Sequence, residues 1–145
     1  MNLEKYSMGI GDRFAHQAKA QLLAMVRARS EGVEVVPVWN KSHREHVSIG
    51  SSPSEVRNAS DEAVQSLGWR DSFYVDADHV GLETVDLFME SSDFFTIDVA
   101  DFIGQTAGKS EIQDFVNKYD RYIGELSIPG IPKTLEVNRA QVERI

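Results

Sequence analysis

The chain contains no cysteine, so neither a disulfide framework nor a thiolate metal site is open to it. It is also short of positive charge: 15 Lys and Arg stand against 23 Asp and Glu, a formal net charge of −8. A protein that binds nucleic-acid backbones needs a concentrated basic face, and this balance argues against one. Two or three local cations would still suffice to hold a small anion. No apolar run approaches the length of a membrane span. The opening Met1-Asn2-Leu3-Glu4-Lys5-Tyr6 has no signal-peptide pattern, so the expected location is cytoplasmic, with no membrane partner. A glycine-rich phosphate fingerprint is missing too, because Gly9-Ile10-Gly11 lacks the third glycine at the required spacing.

What is present is an ordinary globular composition. With 41% hydrophobic and 26% charged residues over 145 positions, a single α/β domain spanning 1–145 can bury a real core. Apolar periodicity predicts a helix over Ala15–Arg29, closed by Gly32. A strand over Val33–Val38 follows, with Pro37 near its end, and then a polar loop from Trp39 to His46. Ser52, Pro53 and Glu55 form a helix start of the capping-box type, and Gly68 ends that helix. Phe73 to Asp76 reads as a third strand, and Leu82–Met89 as a short helix. Phe94 to Asp98 reads as a fourth strand, followed by a helix capped by Ser110. After a breaker-rich connection at 127–132, Leu135–Ile145 reads as the start of one more helix.

Strands alternating with helices need crossovers, and crossovers make parallel sheets. The polar chemistry gathers just after the strands. Asp12 and Arg13 follow the first, expected near residues 8–11, Lys41 and Arg44 the second, Asp76, Asp78 and His79 the third, and Asp98 and Asp101 the fourth. Such placement is the rule in (β/α)8 barrels and in open doubly wound sheets alike. Four βα units correspond to the first half of a TIM-type barrel. Lys41 and Arg44 are candidates to clamp an anion, and Asp12, Arg13, Asp76 and Asp98 to contact substrate. The carboxylates could equally cap turns and helices. His43 and His46 are expected as exposed loop residues, His16 on a solvated helix face, and Trp39 and Trp69 in packing roles. Half a barrel leaves strand edges unpaired, so a homo-oligomer or a complementing second half is expected.

Three motifs in order, Gly9-Ile10-Gly11-Asp12-Arg13-Phe14, Asp76-Ala77-Asp78-His79-Val80 and Phe95-Thr96-Ile97-Asp98, resemble the tagaturonate/fructuronate epimerase family. Lys41-Ser42-His43-Arg44-Glu45 sits where that family has a polar loop. The resemblance covers most of residues 8 to 104. It implies a barrel enzyme that uses a divalent metal cation to epimerise a hexuronate, a small sugar acid. It also implies Asp78 as the proton-abstracting base and His79 as a metal ligand. Family members are much longer, with the remaining ligands and the proton donor in their later half, so the resemblance implies an incomplete fragment. Another metal-dependent barrel aldolase or hydrolase, or a non-catalytic half-barrel module, would use the same strand ends. Strand alternation would send Asp78 and His79 to opposite faces, so one site can use both only if the backbone leaves regular geometry. That break is expected just after Ala77, with Gly81 easing the exit.

Overall fold

In a computed structural model, which describes residues 4–143, the chain divides into two compact units, one through Asp101 and one from Phe102. The first holds four parallel strands in sequential order: β1 (Ser7–Gly11), β2 (Val36–Ser42), β3 (Tyr74–Val80) and β4 (Phe94–Ile97). Helix α1 (Ala18–Ser30) joins β1 to β2, while α2 (His43–Ile49) and α3 (Pro53–Leu67) join β2 to β3. This is the alternation of half a (β/α)8 barrel.

One face of the sheet is covered by helices. Ile10, Trp39 and Val75 share a level across β1, β2 and β3, and they bury against Ala18, Leu22 and Met25 of α1 and Val56 and Ala63 of α3. Leu22 is fully buried, and a side chain of this size contributes about 1.5–3 kcal/mol by leaving water. The Trp39 indole N–H donates to Gln21 Oε1 at 3.0 Å, so the ring is core without an orphaned donor. The other face carries a smaller apolar patch of Val36, Val38, Tyr74 and Phe94. Arg57 of α3 ties the sheet to its cover. Its Nη2 lies 2.6 Å from Asp93 Oδ2, its Nε donates to Ser91 O at 3.0 Å, and the same Asp93 oxygen accepts the Val75 N–H at 2.7 Å.

Several boundaries differ from the sequence reading, each for a local reason. Helix α1 starts at Ala18 because Asp12 holds the Phe14 and Gln17 amides in a turn, and Ala15 takes a left-handed φ of 53°. The strand expected over 33–38 starts at Val36, since the Gly32 and Val33 amides are spent on the Arg29 and Ala28 carbonyls of α1. It runs on to Ser42, so Lys41 lies on a strand rather than in a loop, and His43–Ile49 is helix. Pro37 sits near the start of this central strand. Val36 donates to Tyr6 O on the β1 side, so the missing N–H of Pro37 faces the other side, before pairing with β3 begins at Val38. The helix expected over 82–89 is one 3₁₀ turn at Val85–Leu87, because Gly81 and Phe88 carbonyls each close a separate turn. The capping box at Ser52 and Glu55 forms, with the Ser52 N–H donating to Glu55 Oε1 at 2.9 Å, and Gly68 closes α3 at φ 62°.

The second unit contains α4 (Lys109–Lys118), β5 (Gly124–Leu126), β6 (Leu135–Val137) and α5 (Arg139–Val142). Helix α4 begins one residue before Ser110, and the Glu111 carboxylate accepts the Gly108 N–H at 2.7 Å in place of a serine cap. The helix expected from Leu135 is instead a strand antiparallel to β5 and then a single turn capped by Asn138, whose Oδ1 accepts the Ala140 N–H at 2.8 Å.

Candidate functional site

Along the carboxyl edge of the sheet, Gly11, Asn40, Asp76 and Phe94 are register partners on successive strands. Partners in a parallel sheet share a face, so Asn40 and Asp76 both lie on the face away from α1 and α3. Gly9 and Gly11 make room for this row. A Cβ on Gly9 would stand 3.1 Å from Asn40 Nδ2, and one on Gly11 would stand 3.3 Å from Asn40 Oδ1. The Gly-x-Gly spacing therefore clears one strand face for a neighbouring amide.

Asp76 is buried. Its Oδ2 accepts from Thr96 Oγ1 at 2.7 Å, and its Oδ1 is enclosed with no hydrogen-bond partner among the described residues. Burial pushes its carboxyl above the usual range, with the Asp78 charge adding to the effect and the Thr96 hydrogen bond opposing it. Two positions on, the strand breaks where the sequence reading expects. Pairing with β4 passes from Ala77↔Phe95 to Val80↔Ile97, so Asp78 and His79 together oppose Thr96 alone. That is a β-bulge, and His79 carries it at φ 54°. A left-handed backbone at a non-glycine residue costs about 1–2 kcal/mol, and such strain concentrates at functional sites. Its effect here is to seat neighbouring side chains together: Asp78 Oδ1 lies 2.7 Å from His79 Nδ1. The imidazole is 59% exposed and Asp78 22%.

The other sequence candidates are placed as follows. Asp12 closes the turn after β1 with its carboxylate. Arg13 is exposed, with Nε 3.5 Å from Glu45 Oε1. Glu45 also accepts from the Ser42 amide at 3.1 Å, and that bond, helped by the Ser42 hydroxyl and Arg13, holds its carboxyl below the ordinary range. Arg44 is exposed on α2. Asp98 is exposed beyond β4 and accepts the Ala100 N–H at 3.0 Å. Lys41 lies on the opposite face of β2 from Asn40, only 1% exposed, with Nζ donating to Ser51 Oγ at 2.8 Å. Burial lowers its pKa, against Glu55, Glu45 and Asp12, which raise it. His46, expected as an exposed loop residue, is instead buried on α2 with Nδ1 2.9 Å from the same Ser51 hydroxyl. His16 is exposed ahead of α1. Asp76, Asp78 and His79 thus share the end of β3, while Asp12, Arg13 and Asp98 follow the ends of β1 and β4. Thr96 and Glu45 stand in the motifs quoted above but were given no role in the sequence reading. Thr96 was legible in principle, being two residues from Phe94 and so on the face of Asp76.

Among the described residues no group of three or more His, Asp or Glu gathers to hold a metal ion. The geometry nonetheless suits His79 as one donor of a larger set. With Asp78 fixing Nδ1, the other ring nitrogen is the one presented to a ligand, the usual arrangement for a metal-bound imidazole.

The tagaturonate epimerase (UxaE) family model matches residues 1–128. Crystal structures of fructuronate-tagaturonate epimerase UxaE from Cohnella laeviribosi, in a native form and with one or two glycerol molecules, share the fold at a TM-score of 0.57 and 22% identity. The match covers 96% of this chain and 30% of those chains. No curated protein matches the sequence.

Proposed function

The chain belongs to the tagaturonate epimerase family, and from that membership we propose that it carries the base-bearing half of a divalent-metal-dependent hexuronate epimerase that interconverts tagaturonate and fructuronate. The observation that carries this reading is the bulge at the end of β3, which sets the Asp78 carboxylate against the exposed His79 imidazole. In this reading His79 is one metal ligand and Asp78 is the general base. Asp78 spends one oxygen on the ring and keeps the other to remove the proton from the substrate carbon. The metal, when bound, supplies positive charge next to the substrate oxygen that becomes negative as that proton leaves. Asp76 lies on the same face with its Oδ1 enclosed and without a partner among the described residues, and in this reading it turns that oxygen to a substrate hydroxyl. Arg13 and Arg44 are the cations to meet a sugar-acid carboxylate, with Asp12 and Asp98 shaping the loops around them. Lys41 supports β2 from behind, its ammonium spent on Ser51.

Epimerisation returns the proton on the opposite face of the carbon, and that donor, like the remaining ligands, lies in this reading beyond the stretch matched here. The matched relatives are about three times longer, since the chain spans 30% of their length. Among the described residues β1 and β4 each have one strand neighbour, so a complementing polypeptide would find two edges to extend.

The test is metal titration and turnover of tagaturonate by the complete enzyme. His79→Ala should weaken divalent-metal affinity about 10-fold or more. Asp78→Asn should leave that affinity in place and lower the rate by about 100-fold or more. A His79→Ala variant that binds metal as tightly as the parent would remove the ligand assignment.

A further inference from the structure

Behind β2, on the face opposite Asn40, three ionisable or nucleophilic groups meet at one oxygen. Lys41 Nζ lies 2.8 Å from Ser51 Oγ, and His46 Nδ1 lies 2.9 Å from it. An ammonium can only donate, so Lys41 occupies one lone pair of the hydroxyl. In the tautomer of His46 protonated at Nε2, the hydroxyl hydrogen donates to Nδ1. Lys41 is 1% and His46 3% exposed, whereas Ser51 is half-buried and lines an open cavity of about 660 Å³. His43, Val47, Ser52, Ser54, Leu87 and Met89 line the same cavity. Ser51 also stands just ahead of the first turn of α3, whose amide dipoles favour negative charge at this point. A serine whose oxygen receives a cationic hydrogen bond, whose proton faces an imidazole, and which opens onto a cavity has the arrangement of an activated nucleophile.

We propose that Ser51 is a nucleophilic serine that takes an acyl group from small activated esters entering this cavity. Ser51 Oγ bonds to the ester carbonyl carbon while its proton passes to His46 Nδ1. The carbonyl-to-leaving-group bond then breaks as the adduct collapses, and the alkoxide or phenolate departs with that electron pair. His46 returns the proton to the leaving group or to water, and the product is O-acyl-Ser51. The Lys41 ammonium holds Oγ in place through its hydrogen bond, while the negative charge develops on the ester carbonyl oxygen. Among the described residues His46 Nε2 is enclosed with no partner to support an imidazolium, so the site suits acyl donors with good leaving groups.

The cavity contains its own control. Ser52 and Ser54 open onto the same space, but their hydroxyls lie 2.9 Å from each other, and Ser52 Oγ donates to Glu55 Oε1 at 3.3 Å rather than to a histidine. The experiment treats the chain with p-nitrophenyl acetate and maps hydroxylamine-labile acetyl esters by mass spectrometry. Ser51 should acetylate about 10-fold faster than Ser52 or Ser54, less than a well-matched general base provides because the buried imidazole is a weak one. Ser51→Ala should remove the fast-forming labile ester and leave only the slow labelling of its neighbours. His46→Gln, which keeps a hydrogen bond but takes no proton, should bring Ser51 down to the rate of its neighbours, with circular dichroism checking that the variant is folded. Should that variant fail to fold, the ratio of Ser51 to Ser52 labelling in the parent chain still decides. Equal labelling of the three serines, acetylation confined to lysines, or undiminished Ser51 labelling in folded His46→Gln would each overturn the proposal.

Discussion

Acidification should destabilise this protein in part through His46. Burial is the main cause that lowers its pKa from 6.5 to about 4, and the Lys41 ammonium and His43 push the same way, while Glu55 and Glu45 oppose them. In the unfolded chain the ring titrates near 6.5 and takes a proton before the folded ring does. Below pH 6.5 the unfolded state therefore binds more protons, and stability drains away as pH falls towards the folded value. The contribution is complete above pH 6.5. With these two pKa values the loss is about 2 kcal/mol at pH 5 and about 3 kcal/mol at pH 4. Urea unfolding of the parent and His46→Gln, from pH 7.5 to 4.5, isolates this group, because all other titrations are common to both. The substitution carries a fixed packing cost. The gap between the two proteins should narrow by about 2 kcal/mol between pH 7.5 and 5, roughly 1 M in urea midpoint for a small domain. Parallel pH profiles, or an NMR titration placing His46 at 6 or above, would refute the reasoning from buried imidazole to acid lability.

Other perturbations test the sheet and its edge. Asp93→Ala removes the partner of Arg57 and strands the Val75 N–H, so it should cost about 2–4 kcal/mol in urea unfolding, with Arg57→Ala coupled to it in a double-mutant cycle. Asp76 has the opposite sign from His46: its folded pKa is raised, so it subtracts stability as pH rises from 3.8 through that higher value. Asp76→Asn should accordingly be more stable than the parent at pH 7, with the difference gone below about pH 3.8. Gly9→Ala places a methyl group 3.1 Å from Asn40 Nδ2 and should lower stability by about 1 kcal/mol in thermal unfolding while displacing that amide.

β2, β3 and β4 were legible as runs with apolar or aromatic starts that turn polar, β1 (Ser7-Met8-Gly9-Ile10-Gly11) only from its place ahead of the first helix, and the parallel order followed from helices between them. What local pattern could not reveal was where a strand stops once its residues turn polar. Asn40, Lys41 and Ser42 read as loop by composition, yet their backbones pair with Asp76, Ala77 and Asp78, and pairing rather than hydropathy sets the end of β2. The same error hid His46. A histidine in a polar stretch looks solvated until Phe88, 5.8 Å from its ring, arrives from the turn after β3 to cover it. The β5–β6 pair was missed for a related reason, since three-residue strands hold too few side chains to show a period of two.

The candidate site was legible as a set of residues and not as a set of directions. Alternation assigns Asp76 and Asp78 to one face and sends Ala77 and His79 to the other, so a regular β3 would have split the Asp78–His79 pair across the sheet. The two-against-one register at Thr96 cancels that assignment. Sequence alone could demand the break, because the chemistry requires both groups in one place, but could not choose which residue would bear it. The strain falls on His79 itself, at φ 54°, rather than on the nearby Gly81, the residue best suited by sterics to absorb it. Glycine two positions later would bend the chain after the imidazole had already been sent to the wrong side. Only a break at the bulge turns the ring back towards the Asp78 carboxylate, so the position of the strain follows from the side chain it must aim and not from the residue that would bear it most cheaply.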